Sequence, residues 1–185
     1  MTDNNNCNMK TNGQKSVFVK QCIFTALMQL LNQKPFDKIK ISEIADRAGV
    51  SRMSFYRYYN KKEDILIEHL DQDFNDFTNE INKIPGLKSH DFWVFFVNKV
   101  LGDTFILRLE LYGLSDLLIE CTNKYTWTMI TQFFDWNLED PAVKQHYEYN
   151  SAGLQTLMAN CLLSEKPVSK DMIVKTIETS FPVKQ

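Results

Sequence analysis

Arg52, Met53, Ser54, Tyr56 and Arg57 fall within six consecutive residues, directly after Gly49, Val50 and Ser51. Together they offer two guanidinium forks, a soft thioether, a short hydroxyl and a phenol. Such a set binds rather than reacts: an arginine forks onto phosphate oxygens or a guanine edge, and a methionine lies against a thymine methyl. The groups that would do covalent chemistry are not assembled. No Ser-His-Asp, Cys-His or paired-carboxylate pattern and no glycine-rich phosphate loop can be read, which argues against an enzyme. Cys7, Cys22, Cys121 and Cys161 never pair as C-x-x-C, and only His69, His90 and His146 could join them as soft ligands, so no metal site and no cofactor is expected. The thiols are read as reduced and intracellular.

Charge sets this cluster apart from the rest of the chain. The 185 residues carry 21 basic and 23 acidic side chains. Residues 1–62 hold eleven basic residues against four acidic ones, a surplus of seven, which leaves ten basic and nineteen acidic residues for the remainder, a deficit of nine. Opposed halves of this kind point to two tasks on one chain, the first of them with a polyanion. Residues 1–10 are polar and Asn-rich, without the apolar stretch of a signal peptide, and residues 1 to about 14 are expected to stay mobile. The least charged long segment, 149–164, is interrupted by Asn150, Ser151, Gln155, Thr156 and Asn160, so no membrane span is expected and the chain is placed in the cytoplasm.

The elements that hold the cluster are helical. Val19, Ile23, Ala26, Leu27, Leu30 and Leu31 share one face of a first helix, which the Gln33-Lys34-Pro35 turn ends. Ile41, Ile44, Ala45 and Ala48 repeat the pattern over barely two turns before Gly49. Ser51 can cap a third helix running to about Tyr59, with Phe55 and Tyr59 facing inward and Arg52, Met53 and Tyr56 outward. Two short helices joined by four residues make a helix-turn-helix, about residues 40–59. Lys61 and Lys62 open a fourth helix, marked by Leu66, Leu70, Phe74, Phe77, Ile81 and Ile84, whose first amides can also meet a phosphate. Solvated faces often carry arginine, and an aromatic run can be packing with polar tips. Position decides here, because the run follows a capped glycine turn inside the basic third.

The stretch Ile41-Ser42-Glu43-Ile44-Ala45-Asp46-Arg47-Ala48-Gly49-Val50-Ser51-Arg52-Met53-Ser54-Phe55-Tyr56-Arg57-Tyr58-Tyr59, followed by Lys62-Glu63-Asp64-Ile65-Leu66, resembles the DNA-binding domain of the TetR/AcrR family of transcriptional regulators. The similarity covers about residues 15–75. It implies an all-α fold, with a helix-turn-helix domain over 15–75 and a helical regulatory and dimerisation domain over 76–185. It further implies a homodimer on double-stranded DNA, each third helix entering the major groove at one half of an inverted-repeat operator. By position, Arg52, Met53 and Ser54 approach base edges. Tyr56, Lys62 and the start of the second helix, Lys40 and Ser42, hold the backbone, and Ser51, Arg57 and Lys61 are further candidate DNA contacts. Two residues depart from the family pattern: Lys40 stands where a threonine is frequent, and Tyr59 where a phenylalanine is, its hydroxyl expected to reach water or a backbone carbonyl.

Helices are also expected over 89–101, 104–112, 115–134, 141–163 and 169–180. The last two are the candidate dimer surface, through Tyr147, Gly153, Leu154, Leu157 and Met158; the alternative is that this stripe is intramolecular core. Sixteen of the 23 aromatic residues lie beyond residue 62. In the family such a domain often encloses an apolar effector site, for which Trp93, Phe96, Phe105 and Trp127 are the candidate contacts, and Arg108, His90 or His146 a polar orienting group. Segments 147–154 and 164–169 are similar to a short Firmicutes-type branch that includes activators of dihydroxyacetone kinase genes, with Cys161-Leu162 in place of a Trp-Leu pair. The functional reading is a repressor relieved by a small apolar effector. Its alternatives are an activator working through a protein partner and a DNA-bound structural or cell-division factor.

Overall fold

Helical spacing of apolar residues, with glycine, proline and serine at the breaks, becomes an all-α fold. The computed structural model describes residues 12–134, 136–166 and 169–181. In chain order the helices are α1 (Asn12–Leu31), α2 (Ile41–Ala48), α3 (Arg52–Tyr56), α4 (Glu63–Ile81), α5 (Ser89–Gly102), α6 (Thr104–Leu111), α7 (Ser115–Phe133), α8 (Pro141–Leu162) and α9 (Lys170–Ser180). A single 3-10 turn, Phe36–Lys38, sits between α1 and α2. No strand occurs among the described residues, and none of their helices is long and apolar enough to cross a membrane. Of the polar start expected to be mobile, residues 1–11, with Cys7, lie outside the described residues, while 12–14 form the first turn of α1.

The chain divides into two units between His69 and Leu70, inside α4. In the first, α1 buries Ile23, Ala26, Leu27, Leu30 and Leu31 and packs on α2, which packs on α3. The first turns of α4 add Ile65 and Leu66 to the same core. Lys20 on α1 pairs with Glu68, and the Phe24 and His69 rings stack at 4.1 Å.

The second unit is built from the rest of α4 and α5–α9, with α5 against α9, α8 against α5 and α7, and α6 against α7. Its core centres on Trp93, fully buried among Phe92, Phe96, Phe134 and Phe181 at ring distances of 4.9 to 5.6 Å. Phe92 and Phe96 meet the Trp93 ring edge to face, an arrangement ring quadrupoles favour, while Phe134 stacks on it. Asn123 fastens α7 to α8. Its carbonyl accepts from the Tyr147 hydroxyl at 3.0 Å, and its side-chain oxygen accepts from Ser151 at 3.0 Å and Gln155 at 2.6 Å. Lys170 to Asn98, at 2.7 Å, ties α9 to α5.

This packing corrects the expected dimer stripe. Tyr147, Leu154 and Met158 are buried in their own unit's core and Leu157 packs against it, so only Gly153 of the five faces outward. The intramolecular alternative accounts for that stripe, because α8 must turn its largest apolar residues toward α5 and α7.

Candidate nucleic-acid interface

The interface is set up by how α2 ends. Gly49 adopts φ +69°, and its amide donates to the carbonyls of Ala45 and Asp46 while the Val50 amide donates to Ala45 at 3.0 Å. This closure occupies the Ala45 and Asp46 carbonyls in the last turn of α2 and ends the helix at a left-handed glycine. Ser51 then caps α3, its hydroxyl oxygen accepting from the Ser54 amide at 3.0 Å. At the other end of α2, the Glu43 carboxylate accepts from the Lys40 amide at 2.9 Å and pairs with Lys34 at 2.5 Å. The Lys34 ammonium, chiefly, holds the Glu43 carboxyl below its ordinary range.

The third helix is shorter than expected. It ends at Tyr56, and Arg57 and Tyr58 form a turn that hands the chain to α4. Phe55 is fully buried and Tyr59 nearly so. The outward side carries Arg52, Met53 at 81% exposure, Tyr56 at 55% and Arg57. Ser54 is half-buried beside them, and Lys40, Ser51 and Lys61 are exposed at the flanks, with Ser42 half-buried at the start of α2. Five residues of helix therefore separate an apolar floor from a basic and aromatic rim.

Two residues sit differently from expectation. The Tyr59 hydroxyl donates to the Glu68 carboxylate at 2.5 Å rather than to water or a backbone carbonyl. Burial and that carboxylate push its ionisation well above the ordinary phenol range. Glu68 thus holds Lys20 and Tyr59 at once, linking α1, the end of the recognition segment and α4. Lys62 is folded back, donating to the carbonyls of Phe36 at 2.5 Å and Ile39 at 3.0 Å, with its ammonium 4.3 Å from the Phe36 ring centre.

The second unit contains a cavity of about 470 Å³, walled mainly by Leu70, Phe74, Phe96, Leu118, Met129 and Met158. Of the four candidate effector contacts only Phe96 lines it. Trp93 is consumed by the aromatic core, Phe105 is buried in α6, and Trp127 is partly exposed, edge-on to Tyr147. The candidate orienting groups are elsewhere too: His90 meets Glu178, His146 meets the Ser180 carbonyl and the Trp136 ring, and Arg108 is exposed. Sequence reasoning missed Thr126, Cys121 and Tyr125 on α7, which do line the cavity. Beside it, Asp71 accepts from Lys124 and from the Tyr125 hydroxyl, each at 2.7 Å. No group of three His, Cys, Asp or Glu side chains suited to a metal occurs among the described residues, and Cys22, Cys121 and Cys161 are free thiols.

A capped two-helix turn carrying an exposed basic and aromatic face is a helix-turn-helix, and an all-helical unit with a cavity follows it. Residues 23–68 match the family model described as bacterial regulatory proteins, tetR family, so the first unit contains a domain of that family. Over 75 residues the chain is 28% identical to the HTH-type dhaKLM operon transcriptional activator DhaS of Lactococcus lactis subsp. lactis, the match covering 40% of each. It thus spans about two fifths of that relative's length. The fold is similar to that of Lin0861 from Listeria innocua, with TM-score 0.73, 15% identity, and coverage of 90% of this chain and 91% of that one. It is also similar to the fatty acid degradation regulator FadR from Bacillus halodurans, with TM-score 0.53, 15% identity and coverage of 89% and 99%.

Proposed function

We propose that this protein is a sequence-specific, DNA-binding transcriptional regulator of the cytoplasm, a homodimer that occupies an inverted-repeat operator as a repressor and is released by a small effector. The observation that carries the reading is the outward face of α3: Arg52, Met53, Tyr56 and Arg57 exposed on a helix pinned from beneath by Phe55 and Tyr59. Arg52 and Met53 stand in the first turn, the part of a recognition helix that reaches base edges, with Ser54 beside them. Lys40, Ser42, Ser51, Tyr56, Arg57 and Lys61 flank that turn as backbone contacts. Lys62 acts one step back, holding the Phe36–Ile39 turn against the start of α4.

One recognition helix of this length supplies few base contacts, so two copies are required. The seam is assigned to α8 and α9, through Gly153 and the exposed Tyr149 and Met172 rather than the buried stripe. Gly153 has nothing within 4 Å of its missing Cβ and so permits close backbone approach. No catalytic role is assigned. The second reading is activation, favoured by the relative named as a transcriptional activator; deleting the gene lowers target transcription if that reading holds and raises it under repression. A structural factor instead binds many dispersed sites.

Selection of bound sequences from a random duplex pool tests the proposal. An inverted repeat is expected, and in Arg52→Ala the preference relaxes at one half-site position at a cost of about 1–3 kcal/mol. Uniformly weaker binding with unchanged preference reassigns Arg52 to the phosphates.

A further inference from the structure

α3 is five residues long, and Phe55 is its one buried side chain. Isolated helices below about 12 residues are marginal in water, so α3 takes its direction from what grips its two ends. The leading end is held by the Gly49 closure and the Ser51 cap. The trailing end is held by side chains. Tyr59, the residue after the Arg57–Tyr58 turn, is buried, and its hydroxyl donates to the Glu68 carboxylate at 2.5 Å. Glu68 stands on α4 and is paired with Lys20 of α1, whose ammonium lies 5.8 Å from the Tyr59 ring centre and 6.0 Å from that of Tyr58. One carboxylate thereby joins α1, α4 and the trailing end of α3.

Tyr59 is buried and Glu68 carries the charge that a phosphate repels, so neither is a DNA contact. Nor is the link a large source of stability, because Lys20 and Glu68 leave 33% and 45% of their side chains in solvent, where an ion pair contributes little. Its effect is directional. A binding group must be held to within about 0.5 Å and 10–20° of its productive geometry by residues locked behind it. Phosphate contacts from long basic side chains follow a small swing of the helix, whereas contacts to base edges do not. The hydroxyl is also particular to this chain, since Tyr59 stands where a phenylalanine is frequent in the family.

We propose that Tyr59 and Glu68 are positioning residues for sequence recognition: the hydroxyl–carboxylate bond, braced by Lys20, fixes the direction in which α3 presents Arg52 and Met53. This deepens the DNA-binding reading above and rests on it. Cutting the bond then lowers affinity for the preferred sequence and leaves sequence-independent binding as it was.

The test uses the full-length protein and fluorescence anisotropy on the selected duplex and on a scrambled duplex of the same length, at a temperature where circular dichroism shows every variant folded. Tyr59→Phe keeps the buried ring and removes the hydroxyl. It is expected to weaken the selected duplex about tenfold, with the scrambled duplex and the slope of log K against log salt unchanged. Its melting point is expected to stay within about 8 °C of wild type. Glu68→Ala has the same effect, and the double variant binds no more weakly than Glu68→Ala alone, because both cut one link. Glu68→Gln keeps an acceptor oxygen and restores most of the affinity; it carries the same charge as Glu68→Ala, so the difference between them reads the hydrogen bond. Hydrogen exchange reads the link without DNA. The Arg57, Tyr58 and Tyr59 amides, bonded to the Met53 and Phe55 carbonyls at 2.9 to 3.2 Å, are expected to exchange faster in Tyr59→Phe while those of α1 do not change. Should Glu68→Ala fail to fold, Tyr59→Phe decides alone. Wild-type affinity in Tyr59→Phe, an equal loss on both duplexes, an additive double variant or unchanged exchange overturns the inference. A wild-type protein that prefers no duplex sinks the regulator reading and this one with it, whereas a preference that survives Tyr59→Phe undiminished sinks only this one.

Discussion

Phe55 and Tyr56 are neighbours in sequence with opposite duties, and replacing each by alanine separates folding from recognition. Phe55 is fully buried, 5.5 Å from the Tyr56 ring and 5.8 Å from that of Tyr59. Removing a buried phenylalanine costs about 3–5 kcal/mol. A unit of some sixty residues has a total stability of about 3–9 kcal/mol. Phe55→Ala therefore takes the first unit to the edge of unfolding, while the second unit, whose core shares no residue with it, stays intact. Tyr56 leaves half its ring in solvent, and its loss costs no more than about 0.5–1 kcal/mol of stability. A far-UV circular dichroism melt, paired with fluorescence anisotropy on a labelled duplex, distinguishes the two. Phe55→Ala is expected to melt in two steps, the first well below the second, and to lose duplex binding where the first step is complete. Tyr56→Ala is expected to melt nearly as wild type and to bind about tenfold more weakly, the loss of one phosphate contact. If Phe55→Ala binds the duplex as wild type does, or if Tyr56→Ala destabilises as much as Phe55→Ala, the inward and outward assignments of α3 are wrong.

Lys62 and Lys40 are distinguished by salt. Lys62→Met is expected to cost about 1–2 kcal/mol of stability, through the Phe36 and Ile39 carbonyls, with the slope of log K against log salt unchanged. Lys40→Ala flattens that slope by about one unit instead, and the opposite pattern overturns both roles. Gly49→Ala meets no atom within 4 Å of the new Cβ, so its cost is backbone strain at φ +69°, about 1 kcal/mol by denaturant titration, and less in Gly49→Asn, because asparagine tolerates that conformation. Asp71 gives an acid limb. Burial raises its carboxyl, but hydrogen bonds from Lys124 and Tyr125 and the Lys124 charge outweigh it, so the folded value lies below the ordinary 3.8. Stability from this carboxylate is thus present above about pH 4 and lost as pH falls further. Asp71→Asn is expected to lose less melting temperature than wild type between pH 5 and pH 3, and an equal loss contradicts the assignment.

What could be read from the residues was what depends on local spacing. The αL glycine after α2, the serine cap of α3, proline at the start of α8 and the serine before α9 each leave a mark within four residues, and the helices begin and end close to those marks. The inward direction of Phe55 and Tyr59 follows from their i, i+4 spacing. Contacts made at a distance left no such mark. Tyr59 to Glu68 and Lys62 to Phe36 span nine and twenty-six residues, and nothing near either end names its partner. The apolar stripe on α8 was legible as a stripe, yet a stripe does not say whether it meets its own chain or another. The cavity was hardest of all. It is the space left where α4, α5, α7 and α8 fail to close, and among the candidate aromatics Phe96 borders the gap while Trp93 fills the core.

The central claim is that two copies of α3 present their arginine and tyrosine face to one duplex. Sedimentation of the purified protein with a selected duplex at low ionic strength measures it directly. Two protomers per inverted repeat are expected, falling to free protein when Arg52 and Tyr56 are both alanine. A monomer that leaves every duplex unbound contradicts it.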